Sequence, residues 1–466
     1  MTSAAPVSVT LLNSLRQILG PQGLLLGAAV HERLEGWRSK QPCRAAAIAR
    51  PDTVQQLSQA LALCNASAQA VVVNGGLTGL ADGAIAGPDE VILSTERLSR
   101  IIALDNANRS ITVQAGVPLQ RVQEAAADSG LLFALDLGAR GSCTIGGNIA
   151  TNAGGYRVLR YGMTRELVLG LEVVLADGTL LSSMNRMLKN NAGYDLKQLF
   201  IGTEGTLGIV TAAVLRLREA PRSTQTALLA CSDFQQVLRL LRRLDRDTGG
   251  TLSSFEVLWN DFYRLVTTPP AANKPLLAQQ HPFYVIAECL GSDAARDDER
   301  FAALLASLAT ENLIVDAVVA AASAQRAGIW ALREGMRGTL QPGRFVSFDV
   351  SLALSDMESY VAEVYARVAR DLPGWRCLTV GHLGDGNLHF IVTGGDAAAL
   401  HHEVERCVYE PLRARGGSIS GEHGIGTEKR AWLEVSRNAG EIALMRRLKQ
   451  LLDPQNILNR GRVLPG

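Results

Sequence analysis

The chain has 466 residues, room for two or three domains at about 150 residues each. Its 46 Lys plus Arg against 45 Asp plus Glu leave a formal charge of +1, which supplies no field for a phosphate backbone and argues against nucleic acid as a partner. Gly is abundant at 45 residues and Pro moderate at 16, with no repeating period, so collagen-like and disordered classes fall away.

The opening MTSAAPVSVTLLNSLRQILG lacks the basic start of a secretory signal, and its single Arg makes a poor transit peptide. No run of about 18 apolar residues follows, so no membrane-spanning segment is expected. Residues 51–64 place Val54, Leu57, Leu61 and Cys64 at helical spacing behind a Pro-Asp start. The β-branched run Val71-Val72-Val73 predicts a strand, and the glycine-rich turn from Asn74 to Leu80 closes it. Further strands are predicted at 91–93, 110–114 and 169–175, the last ended by Asp177-Gly178. Between them a helix runs to Ala127 with Pro118 as its first residue. Ile209, Thr211, Ala213, Leu215 and Leu217 alternate onto one strand face, with Arg216 and Arg218 on the other. Strands and helices are mixed through residues 1–220, which argues for an α+β or α/β domain.

The texture changes near residue 221. A basic helix-like stretch at 235–246 leads to a Pro-rich loop at 267–275, strands at 283–289 and 344–352, and a helix at 355–370. This alternation predicts a second α/β unit over 221–425. The remainder, 426–466, carries a short helix after Leu448, then Asp453-Pro454 and Asn459-Arg460-Gly461. Cysteines at 43, 64, 143, 231, 289, 377 and 407 are odd in number and never spaced as CxxC. Neither a disulfide framework nor a Cys-based zinc site is expected, and a cytoplasmic location fits.

Neither GxGxxG nor GxxxxGK[ST] occurs, which disfavours a Rossmann site or a P-loop. Two glycine-dense segments stand instead at 74–83 and 138–155, and a third, Ile201 to Val210, runs into a strand. Glycine serves tight turns everywhere. Two such segments, each behind a strand, also present many unobstructed backbone N–H groups, the requirement for cradling a pyrophosphate.

Three of the seven histidines sit in two short motifs, GHLGDGNLHF (381–390) and SISGEHGIG (418–426). The first reads as a hairpin turning at Gly384–Asn387, which pairs Leu383 with Leu388 and sets His382 opposite His389. Opposed imidazoles about 5 Å apart suit chelation, and Glu422 can complete a His/His/carboxylate set with an open position. Zinc, manganese and iron all accept such ligands. A plain cross-strand histidine pair with a solvated Glu422 reads the same residues equally well. His423, next along an extended loop, would turn away from such a metal, and its ordinary pKa suits proton abstraction; a fourth metal ligand or a structural loop histidine is the alternative reading. His31, His281, His401 and His402 lack such context and read as surface residues.

The segments 74–80, SCTIGGNIATNAGG (142–155), KNNAGYDLKQLFIGTEGTLGIVT (189–211) and LDPQNILNRGRVL (452–464) together resemble the vanillyl-alcohol-oxidase type of FAD flavoprotein, with its FAD-binding PCMH-type domain. Among these they are most similar to the D-2-hydroxyacid dehydrogenases. The resemblance implies an α+β fold: a two-subdomain FAD-binding domain from 1–220 plus the tail, with an α/β substrate (cap) domain between. It implies that Asn74, Gly75, Gly76, Leu77, Thr78, Gly79 and Leu80 wrap the pyrophosphate. Ser142, Gly146, Gly147, Asn148, Thr151, Gly155, Glu204, Ile209 and Asn459 would complete the FAD site. Covalent members attach FAD through His or Cys; neither occurs in 74–80, so FAD should be held non-covalently. The resemblance also favours the metal reading of His382, His389 and Glu422, with zinc as the expected ion.

Arg333, in Trp330-Ala331-Leu332-Arg333-Glu334, matches the family arginine that grips a substrate carboxylate. Where the 2-hydroxyglutarate-oxidising members have Thr and Lys, this chain has Arg337 and Ser347. Arg337 falls one helical turn from Arg333, so both could face one site. The implied reaction oxidises a D-2-hydroxy acid, D-2-hydroxyglutarate or D-malate in the favoured case, to the 2-oxo acid. His423 takes the hydroxyl proton, hydride passes to flavin, and Asn387 bonds the substrate or the flavin edge. Electrons would leave to an external acceptor, an electron-transfer flavoprotein or a quinone, and a homodimer is expected. Three alternatives stay open: a D-lactate or glycolate dehydrogenase, an oxygen-using oxidase of the same fold, and a metallohydrolase with a nucleotide substrate.

Overall fold

Thr53 accepts the Gln56 N–H on its side chain and starts the helix Val54–Ala66, whose Leu57, Leu61 and Cys64 are buried. In the computed structural model, residues 7–36, 39, 41–336, 340 and 344–465 are described. The chain divides into two units. One comprises Met1–Gly155, Gly162–Ala220 and Glu422–Gly466; the other comprises Tyr156–Tyr161 and Pro221–Gly421. The return to the first unit thus comes at Glu422, ahead of the boundary expected after residue 425.

The first unit holds two sheets. In one, Val91–Ser94 lies between Ala47–Ala49 and Val71–Asn74, parallel to both, and Leu24–Leu26 adds an antiparallel edge. The other is antiparallel, ordered Ile101–Asp105, Ser110–Gln114, Ile209–Arg216, Val168–Val174, Leu180–Ser183. Ile209–Arg216 is central and buried on both faces up to Leu215, because Val210, Ala212 and Val214 are apolar too. Pro118 caps the helix Leu119–Ala127 from outside instead of opening it, with ψ at 141°. The tail pairs with Val71, which donates to Ile457 O and accepts from Asn459 N, each at 2.8 Å. Leu57, Leu61, Val71, Val91, Ile209 and Ile457 share one core.

The second unit is built on a seven-stranded antiparallel sheet. Its order is Asp316–Val319, Ser223–Cys231, Phe283–Gly291, Leu252–Trp259, Arg376–Gly381, Asn387–Thr393, Phe345–Ser351. Helix Ser323–Glu334 buries Ile329 and Leu332 in the same core as Leu228, Leu258 and Ile286. Strand Leu252–Trp259 falls where the residue pattern predicts none. It is buried along nearly its whole length, so it lacks a two-residue alternation. Its polar Ser253 and Ser254 are satisfied inside, by Glu288 O at 3.0 Å and Tyr156 O at 2.6 Å.

Candidate active site

In the first unit the two glycine segments touch. A Cβ on Gly75 would come 2.7 Å from Thr144 Oγ1, and one on Gly76 would collide with the Ser142 carbonyl. Only glycine permits that approach. Asn74 ends its strand and donates to Ala84 O at 2.9 Å. Beneath this loop, Thr144 Oγ1 and Asn148 Nδ2 are buried without a hydrogen-bond partner. Buried polar atoms are rarely left so, and these two lie within the segment expected to hold FAD. The donor set therefore fits a polar cofactor. Cys143, the cysteine of this segment, is 3% exposed, and burial pushes its thiol up.

Two expected cofactor residues have structural work. Asn459 accepts the Val73 N–H on Oδ1 at 2.8 Å and donates to Glu204 O. Glu204 accepts the backbone N–H of Ile425 at 2.6 Å and of Gly426 at 2.8 Å. Burial raises its carboxyl above the ordinary value, against those bonds and nearby Lys429. Gly155 holds φ at +118°, and a Cβ there would strike Asp136 O. Thr151 donates to Gly147 O at 3.2 Å, and Ile209 is buried in its strand.

In the second unit the hairpin closes differently from expectation. His389 pairs with Val380, not with His382. Leu383–Asp385 forms a 3-10 turn, Gly386 takes φ +85°, and Asn387 N donates to His382 O at 3.2 Å. The shift is two residues, so facing is preserved and the imidazoles become diagonal neighbours. Their centroids lie 5.3 Å apart at 80°.

His382 is held on both nitrogens. Nδ1 lies 2.6 Å from Glu256 Oε1, and Nε2 lies 3.2 Å from Arg333 Nη2. Arg333, in the last turn of its helix, also donates Nε to Glu256 Oε2 at 2.8 Å. Glu256 is 1% exposed. Burial alone would raise its carboxyl, but His382 and Arg333 together hold it below the usual value. A carboxylate only accepts, so Nδ1 carries the hydrogen and Nε2 the lone pair. A carboxylate behind one imidazole nitrogen is the arrangement that orients metal-binding histidines; the chemistry of His382 thus fits a divalent cation once Arg333 Nη2, which faces Nε2 here, turns away.

His389 has Asp349 as its partner across the sheet, and their ligand atoms lie within 4.8 Å. Asp349 is fully buried and accepts from Asn387 Nδ2 at 2.6 Å and Ser420 Oγ at 3.3 Å. Asn387 Oδ1 is buried without a partner, an acceptor suited to its expected role. Ser347, two residues before Asp349 and half-buried, shares that strand face. Glu422 and His423 are half-buried residues of the first unit. Helix Ser323–Glu334 ends before residue 337, so it does not supply the helical spacing expected of Arg333 and Arg337; Arg337 lies outside the described residues. His281 is half-buried beside Tyr284, its ring 5.9 Å away, and is not the surface residue expected.

Residues 45–183 match the FAD binding domain family, and residues 220–463 match the C-terminal domain of the FAD linked oxidases. The chain belongs to the FAD-linked oxidases. This FAD-linked oxidase is 40% identical over 433 residues to D-2-hydroxyglutarate dehydrogenase of Xanthomonas citri pv. viticola, covering 92% of this chain and 91% of that one. It is 39% identical over 421 residues to the mitochondrial D-2-hydroxyglutarate dehydrogenase of Danio rerio, covering 89% and 78%. These relatives place it in the D-2-hydroxyacid dehydrogenase branch. The 4-ethylphenol oxidase from Gulosibacter chungangensis superposes with a TM-score of 0.74 at 17% identity, covering 100% of this chain and 99% of that one. At that identity the likeness is one of fold. Membership sets aside the nucleotide-hydrolase alternative.

Sequence reasoning missed Glu256 and Asp349. For Glu256 the available signal was one acid inside the apolar run Phe255-Glu256-Val257-Leu258, since an acid there must find partners or stay out. Asp349 carried the same signal, between Phe348 and Val350.

Proposed function

We propose that this FAD-linked oxidase oxidises a dicarboxylic D-2-hydroxy acid, D-2-hydroxyglutarate or D-malate, using non-covalent FAD and a divalent cation, zinc in the favoured case. Relatives named for D-2-hydroxyglutarate support the substrate class. The observation that carries the reading is the junction of Arg333, Glu256 and His382. A guanidinium of the kind that binds carboxylates, beside an imidazole backed by a carboxylate, supports both roles.

FAD, when bound, supplies the hydride acceptor, and a cation held by His382, His389 and Glu422 supplies a Lewis acid for the substrate hydroxyl. The chain's own groups do the rest. Arg333 offers its planar fork to a substrate carboxylate. Gly421 packs where a Cβ would meet Ser351 Oγ at 2.6 Å and Asp349 Oδ1 at 2.9 Å. Glu422 and His423 follow it by one and two peptide bonds. His423 accepts the hydroxyl proton, and Asn387 Oδ1 accepts a hydrogen bond from the substrate.

Seven buried thiols support a reducing compartment, and we place the protein in the cytoplasm. Its electrons pass to an external acceptor, an electron-transfer flavoprotein or a quinone, and the working form is a homodimer. The test is anaerobic mixing of the yellow, metal-loaded protein with D-2-hydroxyglutarate and with its L-isomer. The D-isomer should bleach the flavin absorption and the L-isomer should leave it. Absence of bleaching by any D-2-hydroxy acid overturns the reading.

A further inference from the structure

Glu256 divides its two oxygens between two different tasks. Oε1 lies against His382 Nδ1 at 2.6 Å and Oε2 against Arg333 Nε at 2.8 Å, while Arg333 Nη2 and His382 Nε2 meet at 3.2 Å. Carboxylate, imidazole and guanidinium thus close a three-membered ring of contacts. We propose that Glu256 is a positioning residue for the reaction, one buried carboxylate that fixes both the tautomer of His382 and the orientation of the Arg333 fork. The inference rests on reading His382 as a metal ligand and Arg333 as a carboxylate partner.

The physical case is one of donors and acceptors. A carboxylate offers no hydrogen, so the nitrogen facing it must be the N–H, and the lone pair is forced onto Nε2. A cation needs that lone pair, which Arg333 Nη2 faces in this structure and gives up when the cation binds. On the other oxygen, engagement of Nε fixes the plane of the guanidinium and with it the direction of the Nη edge that meets His382 Nε2. A single acid therefore keeps the cation-binding nitrogen and the anion-binding fork in register. Glu288, on the neighbouring strand, makes the natural contrast. It too is buried, but it accepts from Thr226 Oγ1 and Trp330 Nε1, each at 2.9 Å.

Glutamine at position 256 presents two hydrogens and one acceptor to two donors, so it cannot satisfy both partners. The test uses the FAD-loaded protein, stripped of metal by a chelator and re-equilibrated against zinc by dialysis, with bound metal counted by elemental analysis. Glu256→Gln should weaken zinc binding by roughly ten- to a hundred-fold. At saturating zinc it should raise KM for D-2-hydroxyglutarate more than it lowers kcat. Glu288→Gln should bind zinc as the wild type does. Wild-type zinc affinity in Glu256→Gln overturns the proposal. Should that variant not fold, Glu256→Asp serves, because a side chain one methylene shorter cannot span both partners; wild-type zinc affinity and KM there overturn it equally. His382→Ala separates the two readings. Zinc affinity retained in His382→Ala means that the metal site itself is misassigned. Affinity lost there but kept in Glu256→Gln means that only the positioning role fails.

Discussion

Glu204 accepts the backbone N–H of Ile425 at 2.6 Å across a sequence separation of 221 residues. A second oxygen takes Gly426 N, so one acid of the GTEG turn clamps the loop that begins with Glu422 and His423. Glutamine there must turn an N–H toward one of those backbone N–H groups. A lost hydrogen bond is worth about 0.5–1.5 kcal/mol, so Glu204→Gln should lower the melting temperature and reduce kcat by up to roughly ten-fold with less effect on KM.

The same carboxyl sets a pH dependence. Burial raises Glu204 above its ordinary 4.5, so the folded state holds its proton more tightly than the unfolded state. Its stabilising contribution is complete below the ordinary value and is lost as pH rises through the folded one. Glu204→Gln is neutral throughout. The stability gap between wild type and variant should therefore be widest near pH 4.5 and narrow toward neutrality. Melting curves across that range check this, and a gap that widens with pH rejects it.

What the sequence displays depends on how far apart the partners lie. Helix Val54–Ala66 and strand Val71–Asn74 were legible because their signals are local: a cap, a helical period, a β-branched run. The hairpin was legible in kind but not in register, since the turn chemistry of Gly386 in the left-handed region moved the pairing by two residues. Glu256 showed only as an acid inside an apolar run, with nothing to name its partners. Its partners lie 77 and 126 residues away, and its strand is buried on both faces. Arg333 was found by likeness to a family, but the acid that aims it was not.

Non-covalent FAD follows from the cradle. The loop 74–80 contains neither His nor Cys, and Cys143 is a buried thiol whose pKa is raised by burial. The thiolate is the reactive form, so this thiol is a poor nucleophile. Acid precipitation should leave the yellow chromophore in the supernatant. Flavin carried down with the pellet contradicts the prediction.

Metal loss should leave the flavin alone. His389 pairs with Asp349 in the second unit, whereas Thr144 and Asn148 belong to the first. His389→Ala should therefore remove the metal and most of the turnover with the visible spectrum unchanged. Asp349→Asn should weaken the metal by roughly ten-fold, since it removes the charge beside His389 and turns an amide toward Asn387. Both effects are read by elemental analysis after dialysis, and full metal content in His389→Ala rejects the ligand assignment.

Substrate choice is the last prediction, and it turns on Arg333 and Arg337. Arg333, with Nε held by Glu256 and Nη2 beside His382 Nε2, is the arginine we propose for one carboxylate of the substrate. Every 2-hydroxy acid carries that carboxylate, so Arg333→Lys, which keeps the charge but loses the fork, should reduce kcat/KM for D-lactate, D-malate and D-2-hydroxyglutarate alike. A preference for dicarboxylates needs a second cation, and Arg337 is the residue we assign to it. A hydrogen bond to a charged group contributes about 1.5–3 kcal/mol, or roughly ten- to a hundred-fold in specificity. Arg337→Ala should lose that factor on D-2-hydroxyglutarate and D-malate and change D-lactate little. If instead Ser347, on the strand face it shares with Asp349, opens the pocket to uncharged side chains, the wild type will turn over D-lactate as well as it does the dicarboxylates. Specificity constants for the three acids, in wild type and both variants, distinguish these outcomes, and equal constants for D-lactate and D-2-hydroxyglutarate in the wild type end the two-arginine assignment.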